Sequence, residues 1–232
     1  MINNIKNSNE LKYEKLDGIL AIFITIYISI ITIIFWYIIF KLGWFDKFAS
    51  NFENKIFAKF IFYIPLNIIE LLPIFIILKY RNQSLNSVGI NKNKILKQVI
   101  LGITLYLPLF LLNWKSIKIL NIESISIWGF IYMLIEIAFV EEIIFRGYVQ
   151  QRLRGLINNR YFNLLIAAFM FGIIHIPFTL IQFDNITFND IVLSTMPRMI
   201  MHIYFVGVFK AGDNSILSST ITHAINNYIN TL

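Results

Sequence analysis

Two adjacent glutamates, Glu141 and Glu142, close the long apolar run 125–140, and Arg146 follows four residues after Glu142. An ionised side chain at the centre of a membrane helix costs roughly 2.5–3.5 kcal/mol even on the mildest insertion scale. Two carboxylates side by side also repel each other, so a chain that keeps the pair has a use for it. Residues four apart share a helix face, which sets Glu142 and Arg146 up as an ion pair that cancels one carboxylate. Glu141 is turned about 100° from Glu142 on an α-helix. It is left free to act as a general base.

The other chemistry-bearing residues fall in the C-terminal third. The three histidines are His175, His202 and His223, each within an apolar stretch. A single buried histidine is ordinarily a satisfied core residue, but three of them near Glu141, Glu142 and Asn227 weaken that reading. Phe171 and His175 are four apart, as are His223 and Asn227. The second pair offers an imidazole and a carboxamide on one face. They would serve as two hydrogen-bond donors to an oxyanion, or as one donor and one metal ligand. Asn226 sits beside Asn227 and competes with it for that assignment.

Other hydrolase chemistries find no support. The chain has no cysteine, which excludes disulfides, thiolate metal sites and cysteine nucleophiles. No serine stands in a nucleophile motif, no Gly-Leu-Gly-Asp motif occurs, and no His-Glu-x-x-His zinc motif is present. The glycines are scattered and build no phosphate-cradling loop.

The elements that must position these groups are apolar helices. Of 232 residues, 57% are hydrophobic and 14% charged, against roughly 25% charged in a soluble domain. The mean hydropathy is +0.69. Spans of hydrocarbon length are expected near 20–40, 57–78, 99–112, 125–145, 162–176 and 191–209, with a last helix near 215–229. The fold expected is an all-α polytopic transmembrane bundle of about six to eight helices, with the active site in the membrane near its cytoplasmic side. Residues 1–124 would supply N-terminal transmembrane helices and loops, and 125–232 the catalytic core. The run after the polar first 17 residues lacks a small-residue cleavage site and reads as a retained span. The stretch 114–126 is mixed in character and is expected along the membrane interface.

Orientation follows from charge. Lys and Arg are denser in the segments that fall inside when the N-terminus is cytoplasmic, so the positive-inside rule favours that topology. The net charge of +7 collects in short loops beside spans and forms no basic stripe, which argues against nucleic acid as a partner. Richness in Ile, Asn, Lys and Phe suggests an AT-rich bacterial genome, and hence a multi-pass protein of a bacterial cell membrane. With that orientation the Glu-Glu pair ends the fourth span, while His175 falls toward the far end of a short fifth span. That span must tilt or break for His175 to meet the glutamates.

Three motifs now stand in order: Glu141-Glu142-Ile143-Ile144-Phe145-Arg146, Phe171-Gly172-Ile173-Ile174-His175, and His223-Ala224-Ile225-Asn226-Asn227. Together they resemble the Glu-Glu-x-x-x-Arg, Phe-x-x-x-His and His-x-x-x-Asn motifs of the CPBP family of intramembrane proteases, also called the CAAX-protease and bacteriocin-processing or Abi family. Gly147 and the run 213–217 extend the likeness, which covers about 125–230. Each motif alone is weak, and the three in order are specific. The resemblance implies that Glu141 activates water, that Glu142 pairs with Arg146, that His175 helps hold the water, and that His223 and Asn227 stabilise a tetrahedral oxyanion. It implies either no cofactor or a divalent metal such as zinc. With a metal, the ligands would be Glu141, His175 and His223. The metal-free form is preferred, because Asn227 beside His223 suits an oxyanion hole. His202 matches no motif and is read as structural. Little chain follows Asn227, so the final helix is expected to be short.

The activity expected is an endopeptidase that cleaves a peptide or membrane-associated protein within the bilayer. By resemblance, its roles would be peptide pheromone or bacteriocin processing, self-immunity, or control of surface-protein display, with a further membrane protein as a partner. A non-catalytic immunity or scaffolding protein on the same fold is the alternative. Intact motifs argue against it, since a relative freed from catalysis has no need of Glu141 or His175. A small transporter relaying protons through Glu70, Glu136 and Glu141 is a third reading, but the internal repeats common in transporters are not visible.

Overall fold

The computed structural model describes residues 13–92, 94–112, 125–183 and 185–231. The expected interfacial stretch falls almost wholly outside these residues. The described chain is all helical, with no strand. In order the elements are α1 (Lys15–Phe40), α2 (Trp44–Ala49), α3 (Lys55–Tyr80), α4 (Ile95–Thr104), α5 (Leu107–Leu112), α6 (127–152), α7 (Arg160–Ile173), α8 (Ile176–Gln182), α9 (Phe188–Ala211) and α10 (Ile216–Ile229).

Apolar composition and polar caps explain the helices. Asn54, Asn159 and Ser126 each accept backbone N–H bonds at the starts of α3, α7 and α6. Thr187 and Asp190 close a reciprocal capping box on α9. Each cap satisfies backbone donors that have no partner within the helix. Helix α3 runs on through Pro65 and Pro73.

Among the described residues, five stretches are long and apolar enough to cross a membrane: Lys15–Phe40, Lys55–Tyr80, Ile95–Leu112, Arg160–Gln182 and Phe188–Ala211. Their outward faces are large and apolar. On α1, Phe23, Ile26, Ile30 and Ile34 are exposed, whereas Ala21, Ile24 and Ile28 are buried. An apolar stripe of that extent on the outside is a surface for hydrocarbon.

The inner elements are α6 and α10. Helix α10 packs on α4, on the first half of α6 and on α9, while α9 packs on α7 and α1 on α8. Close approach requires small residues. A Cβ at Gly102 would lie 2.7 Å from the Ser218 carbonyl oxygen of α10, and one at Gly147 would lie 2.3 Å from the Val88 carbonyl oxygen. At one end of the bundle, Arg81 pairs with Asp17 at 3.0 Å. There Arg152, fully buried, donates to Gln83, to Ser87 and to the Gly147 carbonyl. These bonds tie the start of α1, the end of α3 and the end of α6 together.

One expected boundary changes, and one expected break is present. Helix α6 does not stop near 145. It continues to Arg152 with Ile143 to Val149 all buried, so Glu141 and Glu142 sit in mid-helix. Buried partners for Arg146 and Arg152 let a charged sequence continue a helix that hydropathy alone would end. The fifth span does break, at the residue that needs it. Helix α7 ends at Ile173, His175 occupies the joint, and α8 restarts at Ile176 with Pro177 in its first turn.

Candidate active site

The site is built from α6, the α7–α8 joint and α10. Helix α6 begins as an α-helix over Ile127–Ile131, widens to π-helical winding over Tyr132–Phe139, and does so again over Glu142–Val149. Such winding is rare and often marks functional sites. It carries Glu136, Glu141 and Glu142 into the interior of the bundle.

Glu142 and Arg146 are fully buried and form an ion pair, with Arg146 Nη1 3.2 Å from Glu142 Oε1. The guanidinium lies between aromatic faces, its carbon 4.4 Å from the Phe171 ring centre and 5.1 Å from that of Phe205. Contacts of this kind stabilise a desolvated cation by about 2 kcal/mol. Glu142 has a second partner that the spacing did not disclose. Its Oε1 lies 2.9 Å from His223 Nδ1 on α10. The His223 ring stacks on Phe205 at 4.4 Å and 26°.

His175 is held differently. Its Nδ1 lies 2.8 Å from the Phe171 carbonyl oxygen, and its ring meets the Phe171 ring edge-on at 4.9 Å. A carbonyl only accepts, so His175 Nδ1 carries the hydrogen and donates it. Glu142, neutralised by Arg146, likewise accepts from His223 Nδ1–H. In each neutral ring Nε2 is then a bare acceptor. Both Nε2 atoms face Glu141, that of His175 at 3.9 Å from Oε1 and that of His223 at 3.8 Å from Oε2. These separations are too long for direct hydrogen bonds. One water with legs of about 2.8 Å spans each of them.

The Glu141 side chain is 22% exposed, as is that of His175. Both open on a cavity of ≈ 540 Å³ that His223, Asn226 and Asn227 also line. Asn227 stands one turn beyond His223. His202 is apart: fully buried, it donates from Nε2 to Gln150 Oε1 at 3.0 Å and packs on Phe145 and Phe171. Among the described residues no group of three or more His, Asp or Glu is placed to hold a metal ion.

The six residues singled out in sequence therefore fall on one cavity or directly behind it. Two participants were not anticipated: Phe205, which touches both Arg146 and His223, and Arg198, which lines the cavity from α9. An aromatic in an apolar helix carries no signal of such a role. Arg198 did carry one, as a cation inside an apolar span.

A membrane-crossing helical bundle whose polar groups converge on an internal cavity is the architecture of an enzyme or carrier working within the bilayer. Residues 123–229, just under half of the chain, match the model of the family described as Rce1-like, type II CAAX prenyl endopeptidase. The match spans all three motifs and agrees with the family they resemble, and the apolar helices are those of a multi-pass membrane protein. No curated protein and no solved structure matches the chain.

Proposed function

We propose that the chain is an intramembrane endopeptidase in which Glu141 activates water against a peptide bond of a peptide or membrane-associated protein. The observation that carries the reading is the convergence of two imidazole Nε2 atoms on the Glu141 carboxylate at 3.8 and 3.9 Å. A water there donates one hydrogen to Glu141 and the other to His175 Nε2, which leaves its lone pair free for the carbonyl carbon. Glu141 takes the proton as the new C–O bond forms, and the carbonyl oxygen becomes an oxyanion. Asn227 donates to it from its amide. His223, its ring oriented by the Nδ1–H bond to Glu142, is the second donor when Nε2 also carries a hydrogen. Collapse of the intermediate breaks the C–N bond, and Glu141 returns its proton to the leaving amine. The scheme needs no metal.

The test is the set of peptide fragments released by cells or proteoliposomes carrying wild-type protein and Glu141→Ala. Fragments present with the first and absent with the second support the reading. A Glu141→Ala protein that delivers the whole cellular phenotype leaves only a non-catalytic immunity or scaffolding role. Metal analysis with chelation tests the metal-free scheme: activity lost to chelator and restored by zinc would make Glu141, His175 and His223 ligands instead. On this reading the protein sits in a bacterial cell membrane, N-terminus in the cytoplasm, and serves pheromone or bacteriocin processing or self-immunity.

A further inference from the structure

The catalytic cavity holds two more carboxylates that the reaction above does not use. Glu70 of α3 and Glu136 of α6 line it at 8% and 5% exposure. Glu136 accepts from the Asn67 amide. Asn67 and Glu70 are three residues apart on one face of α3, so the two carboxylates face the same space across the α3–α6 contact. Glu70 is nearly bare. Its polar contact is the Thr32 hydroxyl, 3.5 Å from Oε1, at the outer limit of a hydrogen bond, and Oε2 has no polar contact among the described residues.

Neither carboxylate has a counter-charge. No ion pair among the described residues includes Glu70 or Glu136. The cavity's two cations are turned elsewhere. Lys59 lies over the Tyr132 ring at 4.7 Å, and Arg198 donates to the Ser194 carbonyl. Carboxylates at membrane depth are retained where they pair with each other or line a substrate path. An arriving cation supplies the missing charge, and a cavity of ≈ 540 Å³ admits a long side chain together with its backbone.

We infer that Glu70 and Glu136 form a subsite for a basic side chain, Lys or Arg, of the peptide that Glu141 cleaves. The inference rests on the peptidase reading for the identity of the ligand. Its mechanism is charge-assisted hydrogen bonding in a site shielded from water, where a mismatched neutral side chain leaves the carboxylates unpaired.

The experiment uses N-palmitoylated randomised short peptides in proteoliposomes, one pool with a fixed lysine and one with norleucine at that position. Binding is read on full-length Glu141→Gln protein and cleavage on wild type. The lysine pool should bind about tenfold more tightly or better, and wild type should cut with Lys or Arg enriched at one position near the scissile bond. In Glu70→Gln/Glu136→Gln, which keeps side-chain volume, the preference should vanish while norleucine peptides are still bound. Equal affinity for both pools, or a preference that survives the double substitution, overturns the subsite. A lysine preference in binding with no cleavage by wild type supports the subsite and overturns the peptidase reading instead.

Discussion

His223 Nδ1 on α10 lies 2.9 Å from Glu142 Oε1 on α6, the same oxygen that Arg146 approaches to 3.2 Å. One buried carboxylate oxygen thus serves a cation on its own helix and an imidazole 81 residues later in the chain. Glu142 is both the neutraliser of Arg146 and the orienter of the ring that faces Glu141.

Removing its charge should harm fold and activity together. Glu142→Gln leaves Arg146 buried without a counter-ion, which costs about 3–5 kcal/mol. Thermal unfolding in detergent should show that loss. The charge-neutral double Glu142→Gln/Arg146→Met should recover much of the stability and none of the peptide cleavage. Restored activity in the double variant would refute the orienting role.

Glu141→Gln should behave oppositely. Its carboxylate is 22% exposed and has no contact shorter than 3.8 Å to the two histidines, so the melting temperature should stay close to wild type. Cleavage should fall by about 10²–10⁴-fold, the range for loss of a general base. Retained cleavage would exclude Glu141 as that base.

Phe205→Leu should separate positioning from binding. The ring stacks on His223 and faces Arg146, and losing these contacts should cost about 1–2 kcal/mol. The expected kinetic signature is a kcat reduced about tenfold, or about 1.4 kcal/mol, at nearly constant KM. A change confined to KM would place Phe205 against substrate.

Gly147→Ala tests the packing behind the site. The added carbon would lie 2.3 Å from the Val88 carbonyl oxygen. The turn Leu85–Val88 must then move away from α6, at about 1–3 kcal/mol. Unchanged thermal stability would mean that this turn yields freely.

Acid should loosen the turn between α9 and α10. The hydrogen bond from Lys97 to Asp213, with the charges of Lys97 and Lys94, holds the Asp213 carboxyl below its ordinary range. A group depressed by folding contributes stability above its unfolded pKa and loses it as pH falls through the folded value. The contribution is therefore present near neutrality and disappears below about pH 4. Both partners are exposed, so the effect should be small and screened by salt. Hydrogen exchange of Asn214 and Ser215 in wild type and Asp213→Asn would show it. Identical pH profiles would rule it out.

Local periodicity reached part of this arrangement and stopped where distance along the chain began. The Glu142–Arg146 pair and the Phe171–His175 link are separated by four residues, and helix geometry brings both together. The Glu142–His223 bond crosses from α6 to α10, and no local pattern announces it. Helix existence was legible because apolar runs of bilayer length permit little else. The end of α6 was not, because two arginines there are buried by partners at Glu142, Gln83 and Ser87. The break at His175 was legible only as a requirement, with Pro177 as its local cause.

The π-helical winding of α6 is a reserve of chain length in front of the catalytic carboxylate. A π-turn takes up one more residue than an α-turn, so deleting one residue within 132–139 is absorbed by a return to α-geometry and leaves the remainder of the helix near its orientation. A helical wheel drawn at α-helical pitch therefore misplaces the face that carries Glu136, Glu141 and Glu142.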